Sequence, residues 1–389
     1  MLNIFLLGLT SLLADFSSEM IVPILPFFIE SLGGGGVAVG LIFGLGDAVA
    51  AVLRVVSGYW ADKTKKYKLF IFGGYLFSAA AKFLYPLASN WRQVGAVRPV
   101  ERMGKGFRDA PRDAIVSESL SGGKRGFGFG VQRAMDSVGA IIGSVFVLVL
   151  FVYFSFSFRT LFWISAFIAL GAVIPVLFVK VPEKLQLAVK RVSFGKLSVK
   201  VKKFILIATL FAFGNFSYAF LILRAQSSFT GLDEKQTLSL ALLLYIFLNI
   251  FDAVFSAPAG SLSDKIGRRR VILIGYLMFS AVSAGFLIVT ALQFSNLADF
   301  GILLVLFALY GLFKAFIDAS QRAFVSDLSE EEIRGTALGT FETATGLAAI
   351  PAGLIAGLFW DFNSAYTFGF GLAVSLLAAF WLKTAIGER

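Results

Sequence analysis

Chemistry in this 389-residue chain must run on carboxylates, lysines, arginines and hydroxyls, because it contains no Cys and no His. Disulfides, Cys/His zinc sites, thiol nucleophiles, Ser/His/Asp triads and histidine relays are thereby removed. The densest charged set is Arg98, Glu101, Arg102, Lys105, Arg108, Asp109, Arg112 and Asp113, in a chain that is 58% hydrophobic. At about 100° per residue these side chains fall within an arc of roughly 140° on one helix. Val97, Val100, Met103, Phe107, Ala110 and Ala114 occupy the other face. One charge facing lipid at mid-membrane costs about 2.5 to 3.5 kcal/mol, so the whole set cannot do so. The stripe must meet water, a solute or other charges inside a bundle, and it is expected to line an aqueous passage. The alternative is an amphipathic helix lying on a membrane surface with a basic face.

A second chemical feature is Asp15 and Glu19, four residues apart on one helix face near Ser11 and Ser18 and followed by Pro23 and Pro26. Two carboxylates at that spacing repel, and in a low-dielectric site one of them can hold a proton. The other reading is a permanent ion pair with a base of the Arg98–Asp113 stripe. Arg133 and Asp136, three apart, read best as a local pair. Lys314, Asp318 and Arg322 repeat a charged face at i, i+4 and i+8 in an otherwise apolar stretch. Lys82 and Arg224 can snorkel toward headgroups. Asn215, Tyr218 and Asn249 suit either a ligand or helix packing. No Gly-rich run ends in Gly-Lys-Ser or Gly-Lys-Thr, and Gly33–Gly36 reads as a short turn.

The elements that must position these groups are membrane spans. A spanning helix needs about 20 mostly apolar residues. Twelve candidates run near 3–29, 37–58, 69–88, 94–116, 127–152, 160–179, 204–224, 237–259, 271–292, 300–325, 336–359 and 365–384, called spans 1 to 12. About 32 residues per span and connection leave no room for a soluble domain. Mean hydropathy of +0.83 and a charged fraction of only 15% exclude a soluble enzyme, a disordered tail and a nucleic-acid binder, although the net charge is +11. Loops 59–68, 117–126, 180–203, 260–270 and 326–335 carry 19 Lys or Arg, whereas the alternate loops carry Arg92, Arg159 and Lys235. That bias predicts a multi-pass plasma-membrane protein with both termini cytoplasmic, its basic loops against anionic lipid. The first apolar stretch lacks a basic leader and a small-residue cleavage site, so it is expected to be retained.

The chain also repeats itself. Gly58, Asp62 and Lys63 recur as Gly260, Asp264 and Lys265, offset by 202, and Gly74-Tyr75-Leu76 recurs as Gly275-Tyr276-Leu277, offset by 201. Asp109-Ala110, Val116-Ser117 and Arg125-Gly126 recur as Asp318-Ala319, Val325-Ser326 and Arg334-Gly335, offset by 209. Steady offsets across loops argue for duplication, with an N-terminal half at 1–179, a basic linker at 180–203 and a C-terminal half at 204–389.

On these residues the sequence resembles the major facilitator superfamily over essentially its whole length. The most specific mark follows span 8: Gly260, Asp264, Lys265, Gly267, Arg268, Arg269 and Arg270 fit the family's loop. The first copy keeps Gly58, Asp62 and Lys63 but has Lys65, Lys66 and Tyr67 in place of Gly-Arg-basic. Span 5 resembles in part the Gly-rich stretch of proton-coupled exporters: Gly130, Gly139 and Gly143 keep the spacing, Ser144 replaces a Pro, and the closing Gly pair is absent. Helix packing alone explains such spacing as well.

The resemblance implies an all-α integral membrane protein, twelve transmembrane helices in two pseudo-symmetric six-helix halves. It implies a secondary transporter working by alternating access, with spans 1, 4, 7 and 10 lining the path. Asp15, Glu19, Arg102, Lys105, Arg108, Asp109, Arg133, Asp136, Lys314 and Asp318 are then candidates for solute or proton binding. Asp62, Lys63, Asp264, Lys265 and Arg268, with Asp47, Asp252 and Glu342, are candidates for gating. The expected partners are a small-molecule substrate, protons and the bilayer, for a monomer that draws on the proton gradient and uses no cofactor. Proton-coupled efflux is the leading expectation, with proton symport of an organic anion as the alternative. Divalent metal efflux, a lipid-acting membrane enzyme and a non-transporting sensor are further possibilities.

Overall fold

The computed structural model describes residues 1–119, 125–183, 185, 197–292, 295–330 and 333–385, with side chains throughout except at 125–127 and 319. The described residues form helices and turns without a strand. Half of the 180–203 linker, residues 184 and 186–196, lies outside them.

Eleven described segments are long and apolar enough to cross a membrane: Leu2–Ser31, Gly36–Thr64, Tyr67–Leu87, Gly128–Phe154, Phe158–Phe178, Val199–Ser228, Glu234–Ile266, Arg268–Ala291, Asn296–Asp327, Arg334–Phe362 and Ser364–Ala385. These are spans 1 to 3 and 5 to 12. Span 4, Trp91–Glu118, is a continuous helix of 28 residues that fails only on composition, because of its charges. Large apolar side chains such as Phe154, Phe167, Phe178 and Phe380 are exposed, as suits a protein whose solvent is lipid.

Local chemistry sets the helix ends. Asn90, Ser157, Ser198, Asp233 and Ser295 each accept a hydrogen bond from a backbone N–H in the first turn of the helix that follows, and Asp233 forms a reciprocal box with Gln236. Two spans are interrupted. Span 1 breaks between Leu2–Ile21 and Leu25–Ser31, where Pro23 lacks an N–H. Span 7 breaks between Val199–Gly214 and Ala219–Ser228 at Asn215. Such breaks free backbone groups at membrane depth.

The chain divides into two compact units. Unit 1 comprises Met1–Gly34 and Leu45–Arg191, and unit 2 comprises Gly35–Gly44 and Val192–Arg389. Within unit 1, spans 1 and 5 approach closely: a Cβ on Gly139 would lie 2.3 Å from the Leu12 carbonyl oxygen, and one on Gly143 would lie 2.4 Å from that of Phe16. A Cβ on Gly130 would meet nothing within 4 Å. Packing therefore accounts for two of the three glycines of span 5.

Candidate functional site

Span 4 is wedged between spans 2 and 3 of unit 1. A Cβ on Gly104 would lie 2.4 Å from the Gly74 carbonyl oxygen, and one on Gly106 would lie 2.7 Å from Leu53 Cβ. Ser78 and Ser57 donate to the Glu101 and Gly106 carbonyls at 2.7 and 2.9 Å. Arg98, Glu101, Arg108 and Asp109 are each 5% exposed or less. This helix is thus built into the unit, which removes the reading of a helix lying alone on a surface.

The stripe divides into two kinds of residue, and this corrects the expectation that all of it lines water. Arg98 donates to Glu101 at 2.8 Å, Arg54 of span 2 to Asp109 at 2.5 Å, and Arg102 to Asp47 of span 2 at 2.6 Å. Arg112 holds Asp113 at 3.0 Å and donates to Ser11 at 2.8 Å. Arg108 donates to Ser78 at 2.9 Å, its guanidinium 4.2 Å from the Tyr75 ring centroid. The acids and arginines are thus engaged largely with protein groups, and their partners come from spans 1 to 3 as well as from span 4.

Lys105 differs. Half-buried, it makes no hydrogen bond or ion pair with a described residue, and its electrostatic neighbours are Arg102, Asp109, Asp15 and Arg108. Asp15, also half-buried, likewise makes neither, and it feels Asp136, Lys105, Glu19 and Arg108. Spans 1, 4 and 5 thereby bring together Asp15, Glu19, Lys105 and Asp136. Asp136 accepts from Gln132 at 3.1 Å, and Arg133 is exposed.

Unit 2 carries a second charged group of residues. Lys314 of span 10 lies 3.1 Å from Asp252 of span 8, in the field of Asp318, Tyr218 and Tyr310. Arg322 pairs with Glu342 of span 11 at 3.2 Å, and Asp318 is exposed. In the loop after span 8, Arg268 pairs with Asp264 at 3.1 Å and with Asp327 at the end of span 10. Arg269 donates to the Lys383 carbonyl at 2.6 Å, Gly267 takes φ +95°, and Lys265 is exposed. The first copy uses other chemistry: Tyr67, buried, donates to Asp62 at 2.6 Å, Lys65 takes φ +60°, and Lys63 reaches over the Tyr59 ring at 6.0 Å.

Three features escaped the sequence reading. Lys82 does not snorkel: it is 2% exposed and donates to Ser17 at 2.7 Å and Ser18 at 3.0 Å. Arg224 is tied to Thr290 and the Val289 carbonyl, both at 3.0 Å. Within unit 2, Asp361 accepts from the Gly36 and Val37 N–H groups at 2.6 and 3.2 Å. The small residues beside Lys82 were the available signal for the first, and nothing local marked the other two.

Eleven apolar spans and a charged twelfth helix define a multi-pass membrane protein. The model of the Major Facilitator Superfamily matches residues 7–251 and 205–387, and the chain belongs to that family. It is 45% identical to an uncharacterized MFS-type transporter of Methanocaldococcus jannaschii over 384 residues, covering 98% of this chain and 94% of the relative. An uncharacterized protein of Mycobacterium bovis is 36% identical over 140 residues, which is 36% of this chain and 34% of that one. Crystal structures of the nucleoside transporter NupG share the fold: the D323A mutant at TM-score 0.84 and 16% identity, covering 99% of this chain and all of that one, and a second at 0.79 and 15%, covering the whole of both.

Proposed function

We propose that this transporter couples solute movement to a proton, with Asp15 as the proton carrier and Lys105 as the cation that an anionic solute engages. The observation that carries this reading is that Asp15 and Lys105, in each other's field, have neither hydrogen bond nor ion pair among the described residues. While Asp15 is ionised, the two charges offset each other. A proton on Asp15 leaves Lys105 uncompensated, so an anion binds it more tightly, and by linkage the anion favours the proton equally. Mutually favourable binding is the requirement for symport, here uptake of an organic anion.

A second reading, proton-coupled efflux, is favoured by Asp136 and Glu19 in the same field. Crowded carboxylates exchange a proton for a cationic solute, and competition of that kind gives antiport. The Gly-rich spacing of span 5 carries no argument for either direction, since Gly139 and Gly143 seat span 1. In both readings the proton gradient supplies the energy without a bound cofactor, and the protein works as a monomer in the plasma membrane with cytoplasmic termini.

Purified protein in vesicles loaded with a pH-sensitive dye tests this against a panel of organic monoanions and amines. Internal acidification on adding an anion outside is the expected result. Internal alkalinisation on adding an amine would support exchange instead. Asp15→Asn should abolish the proton movement in either case, and a wild-type proton flux in that variant would remove Asp15 from the role.

A further inference from the structure

Lys82 of span 3 is a basic side chain sealed inside unit 1 with no counter-ion of its own. It is 2% exposed and makes no ion pair with a described residue. Glu101, whose field it feels, is already held by Arg98 at 2.8 Å, and Arg108 is turned to Ser78 and the Tyr75 ring. What holds Lys82 is span 1, through the Ser17 and Ser18 hydroxyls at 2.7 and 3.0 Å. Ser17 and Ser165 of span 6, both fully buried, donate to each other's carbonyl at 2.7 Å. Their hydroxyl protons are spent there, so Ser17 can only accept from Lys82. Hydroxyls thus fix the Lys82 ammonium in place and leave its charge unneutralised.

Asp15 stands three residues before Ser18, on the same helix face, and Lys82 lies in its field. The other charges that Asp15 feels are Asp136 of span 5, Lys105 and Arg108 of span 4, and Glu19 one turn further along span 1. Arg112 of span 4 is bonded to Ser11, one turn before Asp15, and Arg133 of span 5 is exposed. Span 6 meets this part of span 1 through Ser165. Lys105 is half-buried, and a solute that engages it cancels what it offers Asp15. Lys82 lies beyond a solute's reach, so its charge acts on Asp15 whether the solute is bound or not.

We propose that Lys82 is a positioning residue for proton coupling: a solute-inaccessible cation, pinned by Ser17 and Ser18, that sets the pH range over which Asp15 gains and loses its proton. This rests on Asp15 as the proton carrier and adds the group that keeps proton release possible while solute occupies Lys105. In a low-dielectric interior a carboxylate beside a fixed cation ionises more readily than one without it.

The full chain in detergent is titrated with acid while difference infrared spectroscopy follows the carbonyl stretch of protonated carboxyl groups. The component missing from Asp15→Asn belongs to Asp15. Lys82→Gln can still donate to Ser17 but carries no charge. In it the Asp15 component should reach half-amplitude about one pH unit higher, a roughly tenfold gain in proton affinity. Lys82→Arg should stay near wild type. Ser165→Ala breaks the tie between spans 1 and 6 but keeps the ammonium, so it should lower the thermal unfolding midpoint and leave the titration in place. A Lys82 that only braces span 1 would make Lys82→Gln and Ser165→Ala alike in both readouts. Lys82→Met, apolar and of similar length, takes the place of Lys82→Gln if that variant does not fold. The proposal is overturned if the uncharged variant titrates like wild type, or if Lys82→Arg shifts as far as it does. Either result, with the Asp15 component present in wild type, leaves the proton assignment standing; a spectrum unchanged in Asp15→Asn removes that assignment and this inference with it.

Discussion

Asp109 shows how a helix as charged as span 4 remains compatible with a membrane. Its carboxylate is closed off by Arg54, in the field of Arg112 and Lys105, and only 4% of the side chain is exposed. Removing one member of such a pair leaves a buried charge without its counter-ion, which costs about 3 kcal/mol or more. Asp109→Asn is therefore expected to lower the thermal unfolding midpoint in detergent markedly, whereas Lys105→Gln should leave it nearly unchanged. Equal losses would mean that Lys105 has a structural partner after all. The positions of these charges were legible in the sequence, since their spacing alone placed them on one face. Their partners were not, because Asp47 and Arg54 lie 55 residues away on span 2, and only the packing of Gly104 and Gly106 fixes which span 4 side chains meet them.

Among the elements, span 5 gives the sharpest separation of resemblance from packing. Gly139 and Gly143 stand where the backbone of span 1 leaves no space for a Cβ, and Gly130 stands in the open. Gly139→Ala and Gly143→Ala should each push span 1 away, with a loss of folded protein and a transport defect, while Gly130→Ala should be silent in both measurements. A severe transport defect in a well-folded Gly130→Ala protein would instead assign that glycine a role in the transport cycle. The spans were readable from apolar runs of about 20 residues, span 4 included, although composition alone does not qualify it. The interruption of span 1 had a visible cause in Pro23. That of span 7 had none, since Gly214, which abuts Val374, and Asn215 are ordinary in sequence.

At the scale of the whole molecule, span 2 is divided between the units: Gly35–Gly44 groups with unit 2, and the chain from Leu45 onward groups with unit 1. Its first turn is held by Asp361, and Gly40 and Gly44 lie against the backbone of Gly353 and Ala349. Asp361→Ala leaves the Gly36 and Val37 N–H groups without that acceptor. Faster amide hydrogen exchange over residues 36–40 is expected, with exchange in span 4 unchanged; equal protection in both proteins would show that the glycine contacts suffice. The duplication and the family were legible because offsets of 201, 202 and 209 persist through the loops. The ion pairs of each copy were not, since they depend on which side chains of spans 2 and 8 reach the charged helix beside them.

The central claim is that the proton rides on Asp15 while the solute engages elsewhere. Solute counterflow in vesicles without a pH gradient, compared with accumulation driven by one, tests it most directly, using an anion that gives a flux in the wild type. Asp15→Asn should retain counterflow at a near wild-type rate and lose pH-driven accumulation. Accumulation that still follows the pH gradient in that variant would contradict the account.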